Sequence, residues 1–274
     1  MSVVSRSAVR LAYHLLKWAG DEPSKASASR FRKILDHARR QRRRDLLTTI
    51  VGNSNGTVVE GPFTGITFST ATCQHDVYIG AKLLGFYERE IQDLLLSWQG
   101  KSFDAIVNVG SASGFFALGS SKLLQPRQIW AVDIEEAELK ICQENFALNK
   151  LDGVVHYRSA MNAQELADIA SEHPKTLIIS DCEGFEAEIF TSETAASLKT
   201  AHLIIECHDF VDPAITRTLK DLFSESHDLT IIEEGSRDPN GSEHLRSLSS
   251  NDRWLVISED RPETMHWLIA TPKT

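Results

Sequence analysis

The chain predicts a doubly wound α/β fold built on a seven-stranded, mostly parallel sheet, and three observations predict it. From residue 103 onward, five apolar, β-rich runs recur at spacings of 20 to 26 residues: FDAIVNVG (103–110), RQIWAVDI (127–134), GVVHYRS (153–159), KTLIISD (175–181) and AHLIIECHD (201–209). Helical patterns fill the gaps, as at 135–149, where Leu139, Cys142, Phe146 and Asn149 share one face. Nearly continuous apolar strands alternating with amphipathic helices imply a parallel sheet covered on both faces. Finally, DLTIIEE (228–234) and MHWLIATP (265–272) complete a set of seven strands.

The remaining elements follow in order. Residues 5–19 and 28–48 carry helical patterns, joined by the turn-rich GDEPSKAS (20–27). GTVVEGPFTGITFS (56–69) has β-rich segments punctuated by glycine and proline, the pattern of a small hairpin. Ile91, Leu94, Leu95 and Trp98 recur at helical spacing and predict a helix over 87–98, with Gly100 placed to stop it. Asp212 and Pro213 form an N-cap and N1 pair for a helix reaching Phe223. A short helix is expected near Trp254. These elements divide the chain into a basic helical arm (1–55), a hairpin with a lead-in helix (56–102) and the α/β core (103–274).

Composition narrows the class. In 274 residues, 42% hydrophobic and 24% charged side chains describe an ordinary globular chain. No apolar run approaches the roughly 20 residues of a membrane span, and Arg6, Arg10, His14 and Lys17 interrupt any leader-like stretch. Cys73, Cys142, Cys182 and Cys207 are scattered, which argues against a disulfide frame or a structural zinc and fits a reducing cytoplasm. Residues 1–45 hold twelve Lys or Arg and four Asp or Glu, a balance of +8, so the rest of the chain carries −17 of the net −9. An acidic body repels nucleic acid, and no nucleic-acid partner is expected. The run ARRQRRR (38–44) is expected to be a solvated basic face folding against that body. Docking through it onto nucleic acid or an anionic surface is the alternative. Oligomeric state stays open, a homo-oligomer included.

In such sheets ligands bind beyond the carboxyl ends of the strands, where the strand order reverses. The first strand ends in VNVGSASG, where Gly110 and Gly114 bracket the small residues Ser111, Ala112 and Ser113. Small residues admit a ligand close to the backbone, although a tight strand-to-helix turn needs glycine for steric reasons alone. The second strand ends in Asp133, 23 residues after Gly110, where an acid can accept bonds from two ribose hydroxyls. Capping of the helix that follows is the plain alternative for Asp133. Together the two features favour a nucleoside ligand without a pyrophosphate, since the GxGxxG of dinucleotide sites is missing. S-adenosylmethionine fits, and a nicotinamide-linked oxidoreductase does not.

FDAIVNVGSASGFFALG, IWAVDIEEAELKICQENFALN, LIISDCEGFEAEIF and LIIECHD together resemble class I S-adenosylmethionine-dependent methyltransferases, and D-x-E-G-x-E with I-I-E-x-H resembles their FkbM-like branch. The similarity covers about 75–272, with LLGFYEREI (83–91) resembling the lead-in segment of that branch. It implies the Rossmann-like methyltransferase fold, with MHWLIATP as an antiparallel last strand. It also implies a cofactor cradle formed by Asn108, Gly110, Ser111, Gly114 and Phe115 from the first strand and its loop. Asp133, Ile134, Ser159, Ala160 and Asp181 join it from the next strand ends, and Glu88 from the lead-in. Asn108 stands where many class I enzymes carry an acid.

Class I geometry would place the transferable methyl near Asp181 and the segment Glu206–Cys207–His208–Asp209. An alcohol acceptor must lose a proton, so His208 is the candidate base, with Asp181 and Glu206 as catalytic partners. A surface or core histidine is the plain alternative. Residues i and i+2 of a strand share a face, so Glu206 and His208 can converge with Asp181 on Mg²⁺ or Mn²⁺. Asp209 is an alternative ligand to His208. Within SDCEGFEAE (180–188), Glu183 is expected to orient the acceptor or support the helix start, Glu186 to be a helix-start acid, and Glu188 to be solvated. Cys182 and Cys207 are expected to pack, and His244 could belong to a lid. The function implied is O-methylation of a small acceptor such as a sugar, glycan or glycosylated metabolite. N-methylation of a small amine, or a noncatalytic nucleoside-binding role, are the alternatives.

Overall fold

The computed structural model describes residues 25–273, with side chains from residue 33. The helix expected at 5–19 lies outside the described residues. The chain divides into two compact units, Met1–Leu46 and Leu47–Thr274. The helix Lys25–Ser54 crosses that division and is longer than the 28–48 pattern indicates, so Lys25–Ser27 of the expected linker are already helical.

The second unit is built on seven strands: β1 Ala105–Val109, β2 Gln128–Val132, β3 Val154–Arg158, β4 Thr176–Ser180, β5 His202–Cys207, β6 His227–Glu233 and β7 His266–Pro272. Their order in the sheet is β3-β2-β1-β4-β5-β7-β6. All pairs from β3 to β5 are parallel, while β7 runs antiparallel to both β5 and β6. This is the Rossmann-like methyltransferase sheet, and the order reverses between β1 and β4. Central strands β1 and β4 are buried at every residue, which is why they read as unbroken apolar runs. Edge strand β3 leaves Val154 exposed, the expected penalty of an edge position.

Helices cover both faces. One layer buries Leu166 and Ala170 from the helix Ala163–Glu172 and Ile215, Leu219 and Phe223 from the helix Ile215–Phe223 in one core cluster with residues of β1, β2, β4, β5 and β7. That last helix starts two residues after Pro213. Asp212 closes the turn before it, its Oδ1 accepting from the Ala214 N–H at 3.0 Å, so it caps a turn and not the helix itself. The helix Arg89–Ser97 buries Ile91 and Leu95 as its spacing predicts.

The segment 56–69 folds back on itself as the small hairpin expected, but a short one. Thr57 and Thr67 form a single antiparallel bridge, flanked by Val58 N–H to Ile66 O at 2.7 Å and Phe68 N–H to Gly56 O at 2.8 Å. The left-handed Gly61 and Gly65, with Pro62, which offers no N–H, end the ladder there. Its apolar residues are buried all the same. Phe63 packs at 5.1 Å from Phe115 and 6.0 Å from Phe116, so a loop supplies the aromatic cover for the helix Phe115–Leu124. Among the described residues no helix is long and apolar enough to cross a membrane.

Candidate active site

Strand register assembles the site before any side chain is considered. Val109 pairs with Val132 on one side and with Ser180 on the other, and Ser180 pairs with Ile205. The next residue on each strand is therefore level with its neighbours: Asp133, Gly110, Asp181 and Glu206 lie in a row across four strand ends. Gly110 has φ +73°, and a Cβ there would sit 1.6 Å from the Asp181 carbonyl oxygen. At Gly114 the obstruction would be Cys142 Sγ, at 2.7 Å. Protein packing alone thus requires both glycines. Ala112 bends to φ +44° and donates its N–H to Asp133 Oδ2 at 2.7 Å. Asp133 Oδ1 accepts from Glu135 N–H at 2.9 Å, so this acid ties the glycine loop to the start of the helix Glu136–Asn149.

An open cleft lies over this loop, with Asn108, Gly110, Ser111, Phe115, Asp181 and Glu88 in its walls beside Lys82, Tyr87 and Trp267. Two buried polar atoms of these residues, Asn108 Oδ1 and Ser111 Oγ, have no hydrogen-bond partner within the protein. Buried polar groups are normally paired, so this concentration in one cleft marks a place where a polar ligand completes the bonding. Other expected cradle residues do not line the cleft. Asp133 stands to one side of it with each carboxylate oxygen accepting a backbone N–H, Gly114 is packed beneath it, Ile134 is 77% exposed, and Ser159 and Ala160 are exposed beyond β3.

A second, open pocket shares Tyr87, Glu88 and Asp181 with the first and adds Tyr78, Glu183, Glu206, His208, Phe210 and Arg261. His208 is buried at its rim, with Nε2 3.5 Å from Asp181 Oδ1 and 3.6 Å from Glu183 Oε2. Its Nδ1 meets Glu186 Oε1 at 2.6 Å. Glu186 is the helix-start acid expected, opening the helix Glu186–Ile189, and it is also fully buried beyond the left-handed pair Glu183–Gly184. Glu183 is 80% exposed at the mouth, and Glu188 is solvated as expected. Burial pulls the His208 pKa down, but the hydrogen bond and charge of Glu186, with Glu206 and Glu183, outweigh it and leave it raised. For Asp181, burial and then the charges of Glu206 and Glu88 push the carboxyl well above its usual range.

Arg261 carries no sequence signal, yet it organises the floor of this cavity. Its guanidinium meets Glu206 Oε1 at 2.5 Å, Glu88 Oε1 at 2.8 Å and Glu259 Oε2 at 3.1 Å. Arg237, in the loop after β6, pairs with Glu90 and Glu259 and holds that loop down. His244 is instead 3.9 Å from Glu60 and lines neither cavity. Asp209 faces away from His208 too, bonding Thr216 N and Oγ1. Ligand atoms of Asp181, Glu206 and His208 lie within 4.8 Å of one another, and two oxygens with an imidazole suit a hard divalent cation. The Glu186-held Nδ1 is the supporting bond a histidine ligand needs. Against a cation stands Arg261, which already neutralises Glu206.

The family model that matches is ribosomal protein L11 methyltransferase (PrmA), over residues 93–179. That stretch is less than half the chain and runs from the helix Arg89–Ser97 to β4. No curated protein matches. Among solved structures, the chain is similar to ribosomal protein L11 methylase from Lactobacillus delbrueckii subsp. bulgaricus, at 15% identity, covering 69% of this chain and 80% of that one, TM-score 0.41. It is also similar to precorrin-6y C5,15-methyltransferase from Geobacter metallireducens GS-15, at 14% identity, 67% and 88% coverage, TM-score 0.46. A third is the O-methyltransferase TomG from Streptomyces achromogenes in complex with SAM, at 12% identity, 66% and 78% coverage, TM-score 0.42. Likenesses at this level say nothing of the acceptor.

Proposed function

We propose that the chain is an S-adenosylmethionine-dependent methyltransferase acting on a hydroxyl of a small acceptor, a sugar, glycan or glycosylated metabolite, in the manner of the FkbM-like branch. One observation carries the reading: the ligand-ready cleft over the glycine loop and the cavity holding His208 share a wall of Tyr87, Glu88 and Asp181. The match of residues 93–179 to a methyltransferase model supports it. When bound, S-adenosylmethionine supplies an activated methyl on a sulfonium. Asn108 Oδ1 and Ser111 Oγ offer it bonds the protein leaves unmade, and Asp133, at the tip of β2, keeps lone pairs beyond those given to Ala112 and Glu135 N–H with which to meet a ribose. Tyr78 and Phe210 wall the acceptor side. His208 Nε2 takes the acceptor hydroxyl's proton. Glu186 holds Nδ1 and stabilises the imidazolium that results. Should Mg²⁺ or Mn²⁺ take part, Asp181, Glu206 and His208 would hold it and polarise the acceptor oxygen.

A second reading, methylation at nitrogen, is favoured by the second cavity's acidic lining. Glu88, Asp181, Glu183, Glu206, Glu259 and Asp260 face it beside Arg261 and His208, and their oxygens can accept from the N–H groups of a neutral amine. One panel separates the readings, with release of S-adenosylhomocysteine measured over hydroxylated and amino acceptors. O-methylation predicts turnover on hydroxyls that falls about 10²–10⁴-fold in His208→Ala, with S-adenosylhomocysteine affinity changed less than about threefold. Turnover on amines alone, surviving in His208→Ala, would establish the second reading instead.

A further inference from the structure

The cofactor's amino-acid end is a zwitterion, and a site that grips it needs a cation as well as acceptors. Lys82 is the one cationic residue among those lining the cleft. Its side chain is buried, with Nζ 4.7 Å from the centre of the Tyr87 ring and 5.5 Å from that of Phe115, both of them cleft walls. Asp76 Oδ2, at 2.6 Å, takes one of its three donors. A buried ammonium is expensive, and an apolar side chain of similar length between two rings would commonly serve stability as well or better. Glu88 and the unpartnered Asn108 Oδ1, in the same cleft, are acceptors suited to the ammonium end. We propose that Lys82, held between Tyr87 and Phe115 and anchored by Asp76, binds the carboxylate of the cofactor's amino-acid end and thereby selects cofactors that carry it. The inference rests on the cleft being the S-adenosylmethionine site. The competing role for Lys82 is structural: a tie between the helix Ile79–Leu83 and Asp76, just after the helix Thr70–His75.

Calorimetry with three ligands decides. The probes are S-adenosylhomocysteine, its decarboxylated analogue, which keeps the amine, and 5′-methylthioadenosine, which lacks the whole amino-acid end. The wild-type protein is expected to bind S-adenosylhomocysteine at least about tenfold tighter than the decarboxylated analogue. Lys82→Gln should abolish most of that preference and leave methylthioadenosine affinity within about twofold. Equal binding of the first two ligands by the wild-type protein overturns the proposal, as does an undiminished preference in Lys82→Gln. Lys82→Met, which keeps the packing between the rings, replaces Lys82→Gln if that variant does not fold. Failure of the wild-type protein to bind either S-adenosylhomocysteine or methylthioadenosine overturns the cleft reading itself, and this inference with it.

Discussion

Glu186 sets the state of His208. An imidazole in so enclosed a place would ordinarily be neutral, and it is the buried carboxylate 2.6 Å away that reverses this. A base must be unprotonated to act, so kcat/KM should rise with pH through an inflection above 6.5, the ordinary histidine value. Glu186→Gln removes the charge that favours imidazolium, so the inflection should move to lower pH while the maximal rate falls. A pH–rate profile of both proteins checks this, and an unmoved inflection would remove Glu186 from that role. Gly110 makes a simpler demand. With φ +73° and the Asp181 carbonyl where a Cβ would go, Gly110→Ala should lower stability by more than about 3 kcal/mol or displace the loop. Thermal unfolding and S-adenosylhomocysteine titration would show the loss.

Among the elements, the helix Glu136–Asn149 does more than cover the sheet. Asn145, fully buried, accepts from Ser69 N at 2.7 Å and donates to Ser113 O at 2.8 Å, while Asn149 bonds Thr67 N and O. Two asparagines thus clip the aromatic loop to the glycine loop. Asn145→Ala leaves a buried donor and a buried acceptor unmet and should cost at least about 2 kcal/mol, whereas Asn149→Ala, partly open to water, should cost less than about 1.5 kcal/mol. Denaturant titration distinguishes them. The central strands β1, β4 and β5 were legible because residues buried on both faces leave unbroken apolar runs, and β3 and β6 stand where expected despite their partly exposed faces. The hairpin was legible too, although Val58, Ile66 and Phe68 are buried against the core and only one antiparallel bridge forms. Asp181, Glu206 and His208 were legible as strand-end residues. Glu186 and Arg261 were not, since their partners lie 22 and 55 residues away and only the folded sheet brings them together. A signal for Glu186 did exist in the D-x-E-G-x-E spacing, where it sits beyond a left-handed Glu–Gly turn.

For the whole molecule, the site's carboxylates form an internal charge problem that pH should expose. Burial and the charge of Glu206 push Glu88 up to about 8, despite Arg261; burial also raises Asp181 and Glu259. A raised acid binds more protons folded than unfolded, so its contribution to stability is full below the unfolded value and is lost as pH climbs through the folded one. Raised His208 acts in the same direction. His202, lowered to about 4 by burial and then by Lys101 and His227, acts oppositely, but only below its unfolded value of 6.5. Between pH 6.5 and about 8 the acids and His208 prevail, and the melting temperature should fall with rising pH. Glu88→Gln should flatten that slope. A slope unchanged in this variant would mean that Glu88 is ionised throughout.

The central claim is that the cleft over Gly110 holds S-adenosylmethionine beside His208. Titrating S-adenosylhomocysteine into the wild-type protein and Asp133→Ala by calorimetry tests it most directly. One saturable site, weakened at least about tenfold by Asp133→Ala, is the predicted result. No binding by the wild-type protein, or binding indifferent to Asp133, would contradict it.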